Sequence, residues 1–168
     1  WALAEQATVL FFVPTVLGAL LDTVRGQEDT APQFRSILGG AATVPPVLIE
    51  GAGKVFGGVV HNLFGQTELA PVLTMIRRTD AIADQLTTVG RPIPQVECKI
   101  ARIPDGAVAD LGERGEICAR GYQQMIEYLN DPVATAAAVD GDGWLHTGDI
   151  GSMDGRGYVT LTGRLKDL

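Results

Sequence analysis

Residues 8–13 read Thr-Val-Leu-Phe-Phe-Val, and Pro14 follows at once. An apolar run of this length is a strand buried on both faces. The proline at its end hands the chain to a helix, because proline carries a helical φ and has no N–H to leave unpaired in the first turn. Pro14 and Thr15 therefore open a helix over residues 16–24. The same unit recurs further on. Residues 34–38 form a second apolar strand that runs into Gly39-Gly40-Ala41-Ala42, and Thr43 with Pro45 and Pro46 starts a second helix. Residues 58–63 form a third strand ending at Phe64-Gly65. Strands alternating with helices build a parallel α/β sheet, and such sheets bind ligands beyond the carboxyl ends of their strands. Residues 39–42 and 64–68 both lie at such ends.

From about residue 88 the helical period fades. Short strands over residues 95–103, 115–120, 144–146 and 158–162 alternate with Asp105-Gly106, Asp142-Gly143 and Asp154-Gly155, dipeptides that mark turns. One helix interrupts: Asp131-Pro132 is an N-cap followed by a first-turn proline, residues 133–139 continue it, and Gly141 stops it. This half reads as a small, mostly antiparallel, barrel-like unit.

The composition excludes several functions. Hydrophobic residues make up 46% of the 168 and charged residues 20%, more apolar surface than a disordered chain carries. A net charge of −7 has the wrong sign for a protein that derives affinity from phosphate backbones, so nucleic acid is not an expected partner. The longest apolar stretch, residues 8–21, is interrupted by Pro14 and falls short of the roughly 18–20 residues of a membrane-spanning helix. It carries no basic start of the kind a secretory signal needs. Two cysteines, Cys98 and Cys118, make no disulfide framework and suggest a reducing, cytoplasmic setting. Cys98 alternates with Val96 and Ile100, which makes it a small buried hydrophobe, and Cys118 reads the same way. His61 and His146 have no partners at metal-ligand spacing. Gly51-Ala52-Gly53-Lys54 lacks the Ser or Thr of a phosphate loop and follows a helical run, so it reads as a helix end with a loop.

Three segments carry chemistry. Phe64-Gly65-Gln66-Thr67-Glu68 places an aromatic face, a glycine that admits close approach, a hydroxyl that can donate to phosphate and a carboxylate suited to Mg²⁺ directly after a strand. By itself it is equally a strand end, a turn and a solvated glutamate. Trp144-Leu145-His146-Thr147-Gly148-Asp149 ends in a carboxylate able to accept both hydroxyls of a ribose, or simply in a turn aspartate. Gly163-Arg164-Leu165-Lys166-Asp167 reads as a charged linker.

In this order, however, the chain resembles the adenylate-forming (AMP-binding) superfamily, in particular its acyl-CoA synthetase, or fatty-acid:CoA ligase, branch. The resemblance rests on Phe12-Val-Pro-Thr-Val-Leu17, Leu38-Gly-Gly-Ala-Ala42, Phe64-Gly-Gln-Thr-Glu68, Val89-Gly-Arg-Pro92, Gly112-Glu-Arg-Gly-Glu-Ile-Cys-Ala-Arg-Gly121, Tyr128-Leu-Asn-Asp-Pro132, Gly143-Trp-Leu-His-Thr-Gly-Asp149 and Gly163-Arg-Leu-Lys-Asp167. It implies an α/β plus β fold. Half of a mainly parallel α/β nucleotide-binding sheet (residues 1–87) is followed by a small distorted antiparallel β-barrel subdomain (88–163) and a hinge (164–168) to a C-terminal domain outside this chain.

The resemblance also implies roles. Phe64 would stack on adenine, with Gly40, Ala41 and Ala42 as the opposite wall and Gly65 beside the nucleotide. Thr67 would contact the α-phosphate, Glu68 would hold Mg²⁺, Asp149 would take the ribose hydroxyls, and Arg164 would assist near ribose and phosphate. Lys166 would be the hinge of the domain motion between half-reactions. Val13, Pro14, Leu69 and Ala70 would line part of the acyl channel, or else be plain core. ATP, Mg²⁺, CoA and a carboxylic acid, a fatty acid first, are the implied cofactor and substrates, in fatty-acid and lipid metabolism. The chain is then expected to be an internal piece of a longer ligase, inactive alone. Two alternatives stay open: a stand-alone adenylate-binding or interaction module, and a ligase that loads a carrier protein instead of CoA.

Overall fold

The computed structural model describes residues 2–40 and 44–167. They divide into two compact units: one takes in the described residues of Trp1–Leu63 with Ile76–Thr87, the other Phe64–Met75 with the described residues of Thr88–Leu168.

In the first unit, β1 (Val9–Phe12), β2 (Ser36–Gly39) and β3 (Val59–Phe64) run parallel in that order, with Phe12 opposite Gly39 and Gly39 opposite Asn62. Helix α1 (Pro14–Thr23) follows β1 and α2 (Pro46–Phe56) follows β2, each with a proline in its first turn, as the sequence predicts. Their inner faces bury Leu17, Ile49, Ala52 and Phe56 with Phe12, Phe34, Ile37 and Val60 of the strands and loops. Glycines 51 and 53 lie inside α2 and not at its end. Gly51 is where α1 packs against α2: a Cβ there would meet Leu21 at 3.4 Å. A short helix α3 (Ile82–Thr87), which the sequence pattern did not single out, completes this unit.

The second unit holds the short antiparallel pair β4 (Thr74–Met75) and β5 (Arg91–Pro92) and a four-stranded antiparallel meander. The meander runs β6 (Val96–Ala101), β7 (Gly115–Gly121), β8 (Leu145–Met153) and β9 (Val159–Arg164), with β6 and β9 at its edges. Ile100, Ile117, Ala119, Leu145 and Val159 project from one face into a core shared with Phe64, Leu69 and Leu73. Alternate residues of the same strands therefore face the other way, the period-2 consequence of the pleat.

Side chains close the turns. Asp154 Oδ1 accepts the N–H groups of Arg156 (2.8 Å) and Tyr158 (3.0 Å). The turn at Asp142-Gly143 is held instead by Asp140, whose Oδ1 accepts from Asp142 and Trp144. Helix α4 (Pro132–Ala138) is capped by Asp131, which accepts the Ala134 N–H at 2.9 Å. It stops one residue earlier than the sequence predicts because Val139 bridges to Leu145. Among the described residues, no helix is long and apolar enough to cross a membrane.

Candidate functional site

Strand β3 ends at Phe64, and the chain folds back at once. The Phe64 carbonyl accepts the Leu73 N–H at 2.7 Å, and a Cβ on Gly65 would lie 2.0 Å from the Pro71 carbonyl oxygen. Only glycine fits there, so the returning loop, before any ligand, fixes this residue. Thr67 and Glu68 then form a single 3-10 turn (Thr67–Leu69) with Thr67 exposed and Glu68 half-buried. The Tyr128 hydroxyl donates to Glu68 Oε1 at 2.7 Å, and the Met125 N–H donates to the Glu68 carbonyl at 2.8 Å. This bond, with the carboxylate's charge, pushes the Tyr128 phenol up from its ordinary value. Among the described residues, Glu68 Oε2 carries no hydrogen bond, which leaves a hard oxygen donor that fits a magnesium ion.

Asp149 is 8% exposed on β8, opposite Arg164 on β9, and the Arg164 Nε lies 3.1 Å from its Oδ1. Burial pushes the Asp149 carboxyl above its ordinary value, and Arg164 only partly opposes this. By linkage, a carboxyl with a raised folded pKa favours folding only at low pH, and that contribution is lost as pH rises through the folded value. A buried carboxyl raised in this way beside an arginine makes Asp149 a candidate functional group. The guanidinium of Arg164 is more than half exposed, so the pair presents an anion and a cation side by side. Lys166 lies exposed in the 3-10 turn Leu165–Asp167 that follows.

The structure sorts the remaining expected residues. Phe64 is buried at 7% exposure in the core of the second unit with Leu69 and Leu73. Leu69 has no exposed surface and packs in the core of the second unit. Ala70 is exposed with a left-handed backbone, Val13 is exposed at the end of β1, and Pro14 is half-buried at the start of α1. A Cβ on Gly40 would lie 2.1 Å from the Leu63 carbonyl oxygen, so the neighbouring strand demands its smallness. Ala41 and Ala42 lie outside the described residues.

Sequence reasoning missed a cluster on the outward face of the meander. Cys118 is buried as expected, yet it faces His146 and Glu116 and not the apolar core. His146 Nδ1 lies 2.7 Å from Glu116 Oε2 and 3.6 Å from Cys118 Sγ, and its Nε2 lies 3.4 Å from Asp140 Oδ2. Burial pushes both the Cys98 and Cys118 thiols up to about 12, so both are protonated and unreactive. Beside this cluster the Trp144 ring meets two cations, Lys99 Nζ and the Arg120 guanidinium, each 4.5 Å from its centroid. No local pattern announces the contacts of Glu116 and Cys118 with His146, or of Lys99 and Arg120 with Trp144, which join residues 24 to 45 positions apart.

A buried aspartate paired to an arginine and a half-buried glutamate held by a tyrosine are thus part of one compact unit, and both come from segments on which the resemblance rested. The sequence profile of the family described as AMP-binding enzyme matches residues 2–129. The chain belongs to the AMP-binding enzyme family. It is 42% identical over 165 residues to a methyl-dioxo-octahydroindenyl-propanoyl:CoA ligase of Rhodococcus jostii (strain RHA1), a match covering 98% of this chain and 30% of the relative. It is 35% identical to the putative acyl-CoA synthetase YngI of Bacillus subtilis (strain 168), with the same coverages. The structure of O-succinylbenzoate coenzyme A synthetase (MenE) from Bacillus subtilis, in complex with ATP and magnesium ion, superposes with a TM-score of 0.83 at 29% identity, covering 99% of this chain and 34% of that one. This AMP-binding enzyme chain spans about 30% of the length of the relatives it matches.

Proposed function

We propose that the chain is part of an AMP-forming acid–thiol ligase. A carboxylate attacks the α-phosphorus of ATP and expels pyrophosphate, and the thiol of CoA then displaces AMP from the acyl-adenylate. The observation that carries this reading is the buried Asp149 carboxylate paired to the exposed guanidinium of Arg164. Asp149 accepts the two ribose hydroxyls, and Arg164 lies toward ribose and phosphate. Thr67 donates to the α-phosphate. Phe64 stacks on the base, with Gly65 beside the nucleotide. Glu68 holds Mg²⁺, which when bound neutralises charge where two anions meet. Val13, Pro14 and Ala70 contribute to the acyl channel. Positioning is the main contribution of these residues, since in-line attack needs the α-phosphate held against the incoming carboxylate.

CoA as acceptor is favoured over a carrier protein by the names of the relatives, and a fatty acid is the first acid class proposed. The two free thiols support a reducing, cytoplasmic setting. The test uses the full-length protein that carries this chain. Exchange of labelled pyrophosphate into ATP is expected only when an acid is present, followed by CoA-dependent release of AMP. Exchange without any CoA-dependent turnover would move the assignment to a carrier-protein ligase, and no acid-dependent exchange would overturn it.

A pH dependence follows. Asp149 accepts ribose hydroxyls only when ionised, and its pKa is raised by burial. ATP affinity should therefore fall on acidification from a higher pH than an exposed aspartate would give. Arg164 pulls this pKa down, so Arg164→Gln should move the acid limb of the KM profile for ATP to higher pH. A limb that stays in place would show that another group titrates.

A further inference from the structure

The ladder between β7 and β8 loses its register at Asp149. Glu116 pairs with Ile150 and Cys118 with His146, so one residue of β7, Ile117, stands opposite three of β8: Thr147, Gly148 and Asp149. Such a bulge re-aims a side chain, and it strands backbone groups that the ladder would otherwise satisfy. Three of these groups have specific partners. The Gly148 N–H donates to Glu116 Oε1 at 3.0 Å, the Asp149 N–H donates to Thr147 Oγ1 at 3.1 Å, and the Thr147 hydroxyl donates to the Ile117 carbonyl at 2.7 Å. Gly148 has a φ of +71°, a conformation that side chains resist, so the bulge needs glycine as well as its partners.

We propose that Glu116 is a positioning residue for nucleotide binding: it spans the bulge and thereby fixes the direction of the Asp149 carboxylate. This rests on the reading of Asp149 as the ribose-binding group. Glu116 uses both oxygens, one on Gly148 and the other on His146 Nδ1 at 2.7 Å, and His146 is steadied in turn by Asp140. The carboxylate is mostly buried, so an acceptor removed there is not replaced by bulk water. Glu116, Cys118 and His146 also bring three metal-ligating atoms within 4.8 Å of one another. The 2.7 Å separation of Nδ1 and Oε2 is a hydrogen-bond length, however, and a shared proton already joins them.

The experiment measures AMP affinity by calorimetry, together with amide exchange at Gly148, in the full-length ligase. Glu116→Ala should weaken AMP binding roughly 5- to 150-fold, the effect of leaving a buried donor unpaired, and should expose the Gly148 amide to exchange. Glu116→Gln, which keeps an acceptor for Gly148, should restore affinity to within a few-fold. In an Asp149→Ala background, Glu116→Ala should have little further effect, because both act through one carboxylate. Additive losses in that cycle would overturn the proposal. So would a lowered thermal midpoint with AMP affinity intact, since that is a merely structural role. Cys118→Ala should leave AMP affinity unchanged, and a loss matching that of Glu116→Ala would make the three side chains a metal site instead. If Asp149→Ala alone leaves affinity unchanged, the ribose reading itself is wrong and the positioning role falls with it.

Discussion

Asp149→Ala in the full-length ligase should raise the KM for ATP by roughly 100-fold or more and leave the KM for the acid nearly unchanged. Two hydrogen bonds to a charged acceptor contribute about 1.5–3 kcal/mol each, and a partly dehydrated strand pair offers no competing solvent to soften the loss. The fold should tolerate the change, because the buried charge of Asp149 opposes folding at neutral pH and its partner Arg164 reaches water. A thermal midpoint at or above the wild-type value, with nucleotide binding lost, is the expected pairing. Equal loss of affinity for acid and ATP would show instead that the variant disturbs the whole site.

Lys166→Pro should separate the two half-reactions. Lys166 lies in the exposed 3-10 turn Leu165–Asp167, directly after the strand that carries Arg164. Proline locks φ near −65°, so a residue that must change its backbone angles to swing a domain can no longer do so. Acid-dependent pyrophosphate exchange should stay within a few-fold of wild type, while thioester formation should fall on the order of 100-fold or more. Single-turnover measurements of adenylate formation and of its consumption by CoA would show the split. Equal loss in both steps would remove the hinge role from Lys166.

How much of this was legible in the sequence depends on how local each feature is. The strand-to-helix handovers at Pro14 and Pro46 were readable because proline's ring imposes its geometry on neighbouring residues. The Asp131 cap was readable for a similar reason: its acceptor serves an N–H three residues away. Gly51 and Gly53 misled, since glycine's low helix propensity suggested an end where α2 continues to Phe56; a Cβ on Gly51 would only touch Leu21 and one on Gly53 would meet nothing. Leu69, left open between acyl channel and plain core, is completely buried with Leu73 in the second unit, a placement that no local pattern announced.

The candidate site divides along the same line. Sequence alone picked out the candidate residues, because Glu68, Asp149 and Arg164 stand within contiguous motifs whose order resembles that of the family. Only the tertiary structure decided how they are held. Glu68 is fixed by Tyr128, 60 positions away, and the bulge that carries Asp149 is bridged by Glu116, 32 positions away. A bulge is a mismatch between two strands and has no existence within either of them. Its partners therefore become visible only once the ladder between β7 and β8 is formed.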